Sequence, residues 1–350
     1  MAILKFKNVG MTAIAACVPS KVVSNYDLRY LMPEDNINRL VNSTGIRERR
    51  ITEPGVTASD LCCKAAEKLL ADNNIDKNSI DLLIFSTLTP DFIVPSTSPM
   101  LQSKLGLPNT TACVDLQFAC SGFIYALATA YAYVSAMGVN RALVLVGETM
   151  SKLANKHDRV NYPLYGDAGT ACIVEKGDFP EAYFELTADG IGAEYVKVPY
   201  RGYRNELTIE NLQDKEREDG NIRRDIDITM DGMETFNHAI TIIPKQIRAL
   251  LNEVGITSED IDYLVSHQAN KLMVDYIVKK VKIPSEKVPF CLQKYGNTSG
   301  PSIPLTIVSE LYGKMEGEKR LFLSAIGAGW SCGTAYLKTK DLAVSEICEY

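Results

Sequence analysis

A chain of 350 residues is longer than one hydrophobic core ordinarily serves, so two lobes are expected. A net charge of −6 argues against nucleic acid as the main partner, because phosphate binding needs a basic excess, and 46% hydrophobic with 23% charged residues reads as soluble and globular. Nine cysteines without regular spacing read as the reduced thiols of a cytoplasmic protein, and with three histidines and no Cys-x-x-Cys pair no metal site is expected.

Along the chain, the run Ala13-Ile-Ala-Ala-Cys17 follows two lysines as a lipoprotein leader would. Asn8, Gly10 and Thr12 interrupt it, so a first β-strand is the better reading. No run reaches the ~18 apolar residues of a membrane span, and no membrane association is expected. A helix over 58–72, capped by Thr57 or Ser59, leads to an apolar strand over 82–87. A strand over 113–117 then runs into Asp115-Leu-Gln-Phe-Ala-Cys120-Ser-Gly-Phe123, where a helix over 121–137 departs and stops at Gly138. Another strand covers 143–147. Residues 194–225 are densely charged, with Tyr195, Tyr200 and Tyr203 at their front and no long apolar period. A solvated loop between the lobes is the favoured reading, and a lid or docking surface the alternative. A helix over 234–253 ends at Gly255. The strand at 263–266 ends on His267-Gln-Ala-Asn270, and helices over 271–281 and 301–314 flank Tyr295-Gly-Asn-Thr-Ser-Gly300. A strand over 321–325 closes on the bend Gly327-Ala-Gly-Trp-Ser-Cys-Gly333.

The chain repeats itself. Leu69 through Ile84 overlie Leu250 through Val265 at a constant offset of 181, each copy passing from helix to polar loop to a strand opened by Ile-Asp. The same offset carries Ser86 onto His267, Cys120-Ser-Gly122 answers Thr298-Ser-Gly300, and Arg141-Ala-Leu-Val-Leu-Val146 answers Arg320-Leu-Phe-Leu-Ser324. A period of half the chain means two homologous βα lobes, at 1–180 and 181–350, rather than a solenoid. The apolar strands are continuous, as where helices cover both faces of a sheet.

Three side chains stand at strand or helix ends, where α/β sheets collect ligand chemistry. Cys120 opens a helix, whose dipole and unpaired amides favour the thiolate that attacks a thioester. Any one cysteine is more often an inert core residue, the reading given to Cys113, Cys172 and Cys332; Cys62 and Cys63 fall in a helix. His267 ends a buried strand, whereas His157 lies in a charged stretch and His238 within a helix. Asn297 alone would be a turn or cap residue. The bend at Gly329 does not fit a dinucleotide fingerprint but suits a backbone amide facing an oxyanion.

With Ser43-Thr-Gly-Ile-Arg-Glu-Arg-Arg50 and Tyr165-Gly-Asp-Ala-Gly169, these strings resemble the β-ketoacyl-acyl-carrier-protein synthase III family of thiolase-like condensing enzymes, from about Gly10 to Leu337. The resemblance implies a thiolase-like α/β fold with five αβαβα layers and two duplicated lobes, in a homodimer. It implies that Cys120 takes an acyl group from a thioester, commonly acyl-coenzyme A, with the amides of Cys120 and Gly329 as oxyanion hole. His267 and Asn297 then stabilise the enolate as malonyl-acyl carrier protein loses carbon dioxide, so acyl-coenzyme A and the carrier are substrates and no cofactor is needed. The setting would be fatty acid or related acyl-chain synthesis.

Phe118 and Phe123 flank Cys120 and suit an acyl pocket or core packing equally. Lys271, Lys279 and Lys280 match carrier-docking positions, with a solvated helix face as the other reading. Arg159 keeps an adenine-side position, while Arg39, Ser43, Met233, Leu272 and Val94 stand where the family has Trp, Arg, Asn, Arg and Phe. Those departures weaken acetyl-coenzyme A as the primer and favour a longer, branched or carrier-borne acyl group. The rivals are an acyltransferase that omits decarboxylation, a non-catalytic carrier-binding relative, and condensation onto acetoacetyl-coenzyme A, which Asn297 disfavours.

Overall fold

The computed structural model describes residues 3–136 and 138–350. In chain order its main strands are β1 (Ile3–Phe6), β2 (Val9–Val18), β3 (Leu82–Ser86), β4 (Ala112–Leu116), β5 (Arg141–Thr149) and β6 (Asp167–Lys176). They continue as β7 (Ala182–Thr187), β8 (Tyr263–Ser266), β9 (Glu318–Gly327), β10 (Ser331–Lys340), β11 (Ala343–Val344) and β12 (Cys348–Glu349). The longer helices are α1 (Glu34–Thr44), α2 (Ala58–Asp72), α3 (Thr97–Leu105), α4 (Gly122–Ala136), α5 (Gly232–Val254), α6 (Lys271–Val281) and α7 (Ser302–Leu311).

One sheet has the order β11-β2-β6-β5-β3-β4, with β12 also on β2, and the other β1-β7-β10-β9-β8. The path β2-β6-β5-β3 corresponds to β7-β10-β9-β8. In both, the last pair is parallel and the preceding two antiparallel. The chain termini cross over. β1 pairs with β7 in the second sheet, while β11 and β12 pair with β2 in the first.

Strand periodicity of two sorts the apolar side chains into layers. On β3, Leu82 and Ile84 face a core shared with α4 and α7, whereas Leu83 and Phe85 face α2 and α3. On β9, Leu321 and Leu323 enter the shared core, and Phe322 packs with α5 and α6. The result is the five-layer αβαβα thiolase-like architecture, with α4 and α7 between the sheets. Each fully buried Leu, Ile or Phe contributes about 1.5–3 kcal/mol. The central helices start where the strands of both sheets end, which gathers the functional strings at one place.

α2 has the expected bounds because Thr57 and Asp60 form a reciprocal capping box. α6 does too, with the Asn270 side chain accepting from the Met273 N–H. The helix expected over 301–314 stops at Leu311, because Tyr312 turns to extended backbone. The expected end of α4 at Met137 lies outside the described residues. The charged segment 194–225 is not featureless. It holds a turn at Ile209–Leu212 and a ladder of Lys215–Glu216 with Ile222–Arg223. Asp225 accepts from Asn211, Lys215 and Arg217, and Arg223 pairs with Asp158 and Asp219.

α2 lies so close to β6 that a Cβ on Gly169 would meet the Cys62 nitrogen and the Leu61 carbonyl carbon at 2.4 Å. Backbone cannot rotate away as a side chain can, so the helix itself would have to move. Gly169→Ala is expected to destabilise the fold by about 1–3 kcal/mol or more. Thermal denaturation would read this as a lowered midpoint, and an unchanged midpoint would refute the close approach.

Candidate active site

Cys120 lies between β4 and α4, two residues before the first residue of α4, so its amide stands just ahead of the helix start. Gly327, at the end of β9, packs on that amide: a Cβ there would lie 3.0 Å from the Cys120 nitrogen. The Ser121 and Ser331 hydroxyls hydrogen-bond at 2.7 Å, tying the start of α4 to the strand after the glycine bend. Gly329 has φ +67°, and nothing lies within 4 Å of a Cβ built on it, so the space beside its backbone is open.

The Cys120 thiol lies 3.6 Å from the Ser299 hydroxyl, at the start of α7. The helix-start setting alone favours a thiolate, but in this site burial pushes the thiol up to about 12. The Ser299 hydrogen bond acts in the opposite direction, and the Glu148 carboxyl adds to the rise. Burial and the helix start thus act in opposite directions on a thiol that is still partly open to solvent.

His267 directly follows β8, and its backbone N–H donates to the Ser324 carbonyl on β9 at 2.7 Å. Its Nδ1 lies 2.7 Å from the Ser302 hydroxyl on α7. Burial lowers the imidazole to about 4, so it is neutral at physiological pH. The Ser302 hydroxyl can donate to Nδ1, and in that arrangement the ring proton sits on Nε2, which is then a donor.

Asn297 is fixed by its backbone. Its N–H donates to the Leu164 carbonyl at 2.8 Å, and its carbonyl accepts from the Gly166 N–H at 3.1 Å. Its side-chain Oδ1 accepts the Ser299 N–H at 2.9 Å, which assigns the amide orientation and leaves Nδ2 to donate elsewhere. Arg49 supports this turn from within the fold. Buried against the Tyr162 ring, it donates to Asn25 and to the carbonyls of Tyr162 and Tyr165. That gives the string at 43–50 a structural role behind Asn297.

The structure thus links Cys120, Ser299 and Asn297 in one hydrogen-bonded chain, and Ser302, on the helix following Ser299, holds His267. The other candidates are dispersed. Phe118 stacks on Tyr125 at 3.9 Å between ring centres, beside the cysteine. Phe123 is buried in the shared core, the packing role among its two readings. Val94 is 81% exposed and Met233 74%, so neither lines an interior wall of this chain. Arg159 is engaged by the charged segment, donating to the Asn221 side chain and the carbonyls of Asp219 and Gly220. Lys271 pairs with Asp275, and Lys279 and Lys280 occupy the last turn of α6, with Lys280 over the Tyr276 ring.

Sequence reasoning missed Ser299 and Ser302 as holding groups, and also Glu148 and the environment of Trp330. Glu148 is buried and accepts from the Leu88 N–H and the Thr87 and Thr89 hydroxyls; burial raises it to about 8. Trp330, next to Gly329, is sandwiched between His238 at 3.6 Å and Tyr195 at 4.9 Å between ring centres. Gly192 backs the indole, and a Cβ there would strike it at 2.3 Å. This stack braces the bend that presents the Gly329 amide.

Ser302→Ala removes the partner that fixes the His267 tautomer. At about 1.4 kcal/mol for such a bond, malonyl-dependent carbon dioxide release should fall roughly tenfold. Cys120 acylation should stay unchanged in a stopped mass-spectrometric time course, and an equal loss in both would refute the assignment.

Comparison with known proteins converges on one family. Residues 114–190 match the family described as 3-oxoacyl-[acyl-carrier-protein (ACP)] synthase III, and residues 251–339 match its C-terminal part. The beta-ketoacyl-[acyl-carrier-protein] synthase III of Chlamydia caviae is 34% identical over 97% of this chain and 99% of its own. The enzyme of the same name from Koribacter versatilis is 31% identical over 94% and 97%. The crystal structure of a 3-oxoacyl-(acyl-carrier protein) synthase from Burkholderia xenovorans superposes with a TM-score of 0.93 at 34% identity, covering 100% of this chain and 99% of that one.

Proposed function

Because the chain belongs to the 3-oxoacyl-[acyl-carrier-protein] synthase III family, and so is an acyltransferase that performs decarboxylating condensation in fatty acid biosynthesis, we propose that Cys120, His267 and Asn297 carry its two half-reactions. The observation that supports this most is the arrangement of two neutral donors beside a nucleophilic sulfur, His267 through Ser302 and Asn297 through Ser299.

In the first half-reaction the Cys120 sulfur attacks the carbonyl of an acyl thioester. The amides of Cys120 and Gly329 receive the oxyanion, the carbon–sulfur bond to the donor breaks, and the proton from Cys120 ends on the departing thiol. In the second, a malonyl thioester on acyl carrier protein places its carbonyl oxygen against His267 Nε2 and Asn297 Nδ2. Loss of carbon dioxide leaves an enolate at that oxygen. Its carbon attacks the acyl-cysteine, the cysteine sulfur leaves and regains a proton, and a 3-oxoacyl carrier is released. A neutral histidine suits this role, since it donates a hydrogen bond without surrendering its proton outright. Acyl transfer to an alcohol or amine without decarboxylation gives His267 and Asn297 no such task and is not favoured.

No cofactor beyond the substrates is required in this scheme. The exposed run Phe92, Ile93 and Val94, at 56%, 66% and 81%, supports burial against a second copy in a homodimer. Lys271, Lys279 and Lys280 would meet the acidic carrier, and Phe118, Arg159, Met233 and Val94 remain proposed substrate contacts, Val94 from across the dimer. A cytoplasmic location accords with nine free cysteines. Among the described residues no helix is long and apolar enough to cross a membrane. The test is a reconstituted assay with carboxyl-labelled malonyl-acyl carrier protein and a panel of acyl-coenzyme A and acyl-carrier donors. Labelled carbon dioxide with a 3-oxoacyl carrier from at least one donor supports the proposal, and acyl transfer without gas release would overturn it.

A further inference from the structure

The C-terminal strand β12 lies parallel on β2, with Cys348 opposite Cys17 and Glu349 opposite Val18. Neighbouring strands are about 4.8 Å apart, within the roughly 4.4–6.8 Å between Cα atoms that a disulfide spans. Residues in register on adjacent strands point to the same face, and both cysteines pack into the apolar layer over α2. The Cys17 sulfur lies 3.9 Å from the Val18 carbonyl, and the Cys348 thiol donates to the Ala16 carbonyl at 3.5 Å.

The two differ in access and charge. Cys17 is fully buried, whereas Cys348 is partly open to solvent. Cys348 is held below the usual thiol range by a hydrogen bond from Cys17 and by the charges of Lys64 and Lys68 on α2. Cys17 is pushed up, by that same bond first and by burial second. Cys120 is likewise partly open to solvent, but its thiol is pushed up rather than down. Oxidant arriving from solvent therefore meets a more reactive sulfur at Cys348 than in the active site. The strand that carries it is short. It is held by the Tyr350 N–H on the Val18 carbonyl at 3.0 Å, the Ser20 N–H on the Tyr350 carbonyl at 3.1 Å and the Arg50–Glu349 ion pair at 2.8 Å. A two-residue terminal strand can shift to bring its sulfur onto that of β2 without disturbing the sheet core.

We propose that Cys348 and Cys17 form a hydroperoxide-reactive thiol pair that closes to an intrachain disulfide, fastening the C-terminal strand to β2. The Cys348 thiolate attacks the terminal oxygen of hydrogen peroxide, the O–O bond breaks, and a sulfenic acid forms as the leaving hydroxide takes up the proton the thiol had given to solvent and departs as water. The Cys17 sulfur then attacks the Cys348 sulfur, the S–O bond breaks, and a second water leaves. Two thiols are oxidised by two electrons in all, and the hydroperoxide is reduced by two. A dithiol reductant reverses the closure by exchange.

The test treats the full chain with graded hydrogen peroxide, blocks remaining thiols, and maps unreduced peptides by mass spectrometry. The expected product lacks two hydrogens and joins the peptide of Cys17 to that of Cys348, with Cys120 still available to the blocking reagent. Cys348→Ser should abolish the joined peptide, and Cys17→Ala should leave a sulfenic acid on Cys348 that dimedone traps. The mapping of the unsubstituted chain stands whether or not either variant folds. Joined peptides that survive Cys348→Ser would overturn the pairing. So would Cys17 and Cys348 that stay reduced at doses oxidising Cys120, or a Cys348 oxidised without ever joining Cys17.

Discussion

Cys120→Ala is expected to abolish the acyl-enzyme and to lower condensation by a factor on the order of 10⁴–10⁶, the range seen when a covalent nucleophile is removed. Incubation with any acyl donor should then give no mass increase on the intact protein, where the unsubstituted chain gains one acyl group. The second half-reaction should outlive the first. His267 is held by Ser302, and the Asn297 turn by Leu164 and Gly166, none of them through the thiol. The variant should therefore still bind a malonyl carrier and release carbon dioxide, giving an acetyl carrier instead of a 3-oxoacyl product. An acyl adduct persisting in Cys120→Ala would sink the assignment of the nucleophile. Loss of gas release along with the adduct would contradict the separation of the two donor groups from the sulfur.

That separation also marks where the sequence was legible. The Cys120, His267 and Asn297 strings each carry local signals, an apolar strand before and a glycine-rich helix start or polar turn after, and local signals survive in one dimension. The offset repeat foretold the paired sheets, and α2 and α6 were bounded because their caps lie within three residues of the helix starts. What stayed hidden depends on partners far along the chain. Ser302 looks like any polar residue at the head of a helix, and only the fold sets it on His267, 35 positions earlier. Glu148 sits at the end of an apolar strand like an exposed carboxylate, yet its partners Thr87, Leu88 and Thr89 lie some 60 residues before it. The push of burial on the Cys120 thiol is non-local in the same way. Its helix start is local and favours the anion, whereas Ser299 and Glu148, which also act on the thiol, come from elsewhere in the chain. In the segment 194–225 most charges are solvent-facing, as read, and what the sequence did not show is that Asp225 gathers Lys215 and Arg217 and that the turn at Asp219–Asn221 holds Arg159.

The mirror of the cysteine result is expected from Asn297→Ala. Its Oδ1 is committed to the Ser299 N–H at 2.9 Å, so Nδ2 is the group left to stabilise charge on a substrate carbonyl. Removing one such donor typically costs about 3 kcal/mol, or 10²–10³ in rate, so malonyl-dependent carbon dioxide release should fall by that factor. Acylation should fall far less, because the proposed oxyanion amides belong to Cys120 and Gly329. A loss within about tenfold is expected there, since the Ser299 N–H loses its acceptor and the hydroxyl near the thiol loosens by one bond of about 1 kcal/mol. The fold should survive, because Asn297 is anchored through its own backbone N–H and carbonyl. Asn297→Asp separates the two duties of this side chain. Aspartate still accepts from Ser299 but offers an anion where a donor was, so acylation should recover while decarboxylation stays as low as in the alanine variant or drops further. Carbon dioxide release measured beside acyl-enzyme formation decides the matter. If both rates fall together in Asn297→Ala and both recover in Asn297→Asp, the residue merely braces its turn; a split between them places it at the enolate.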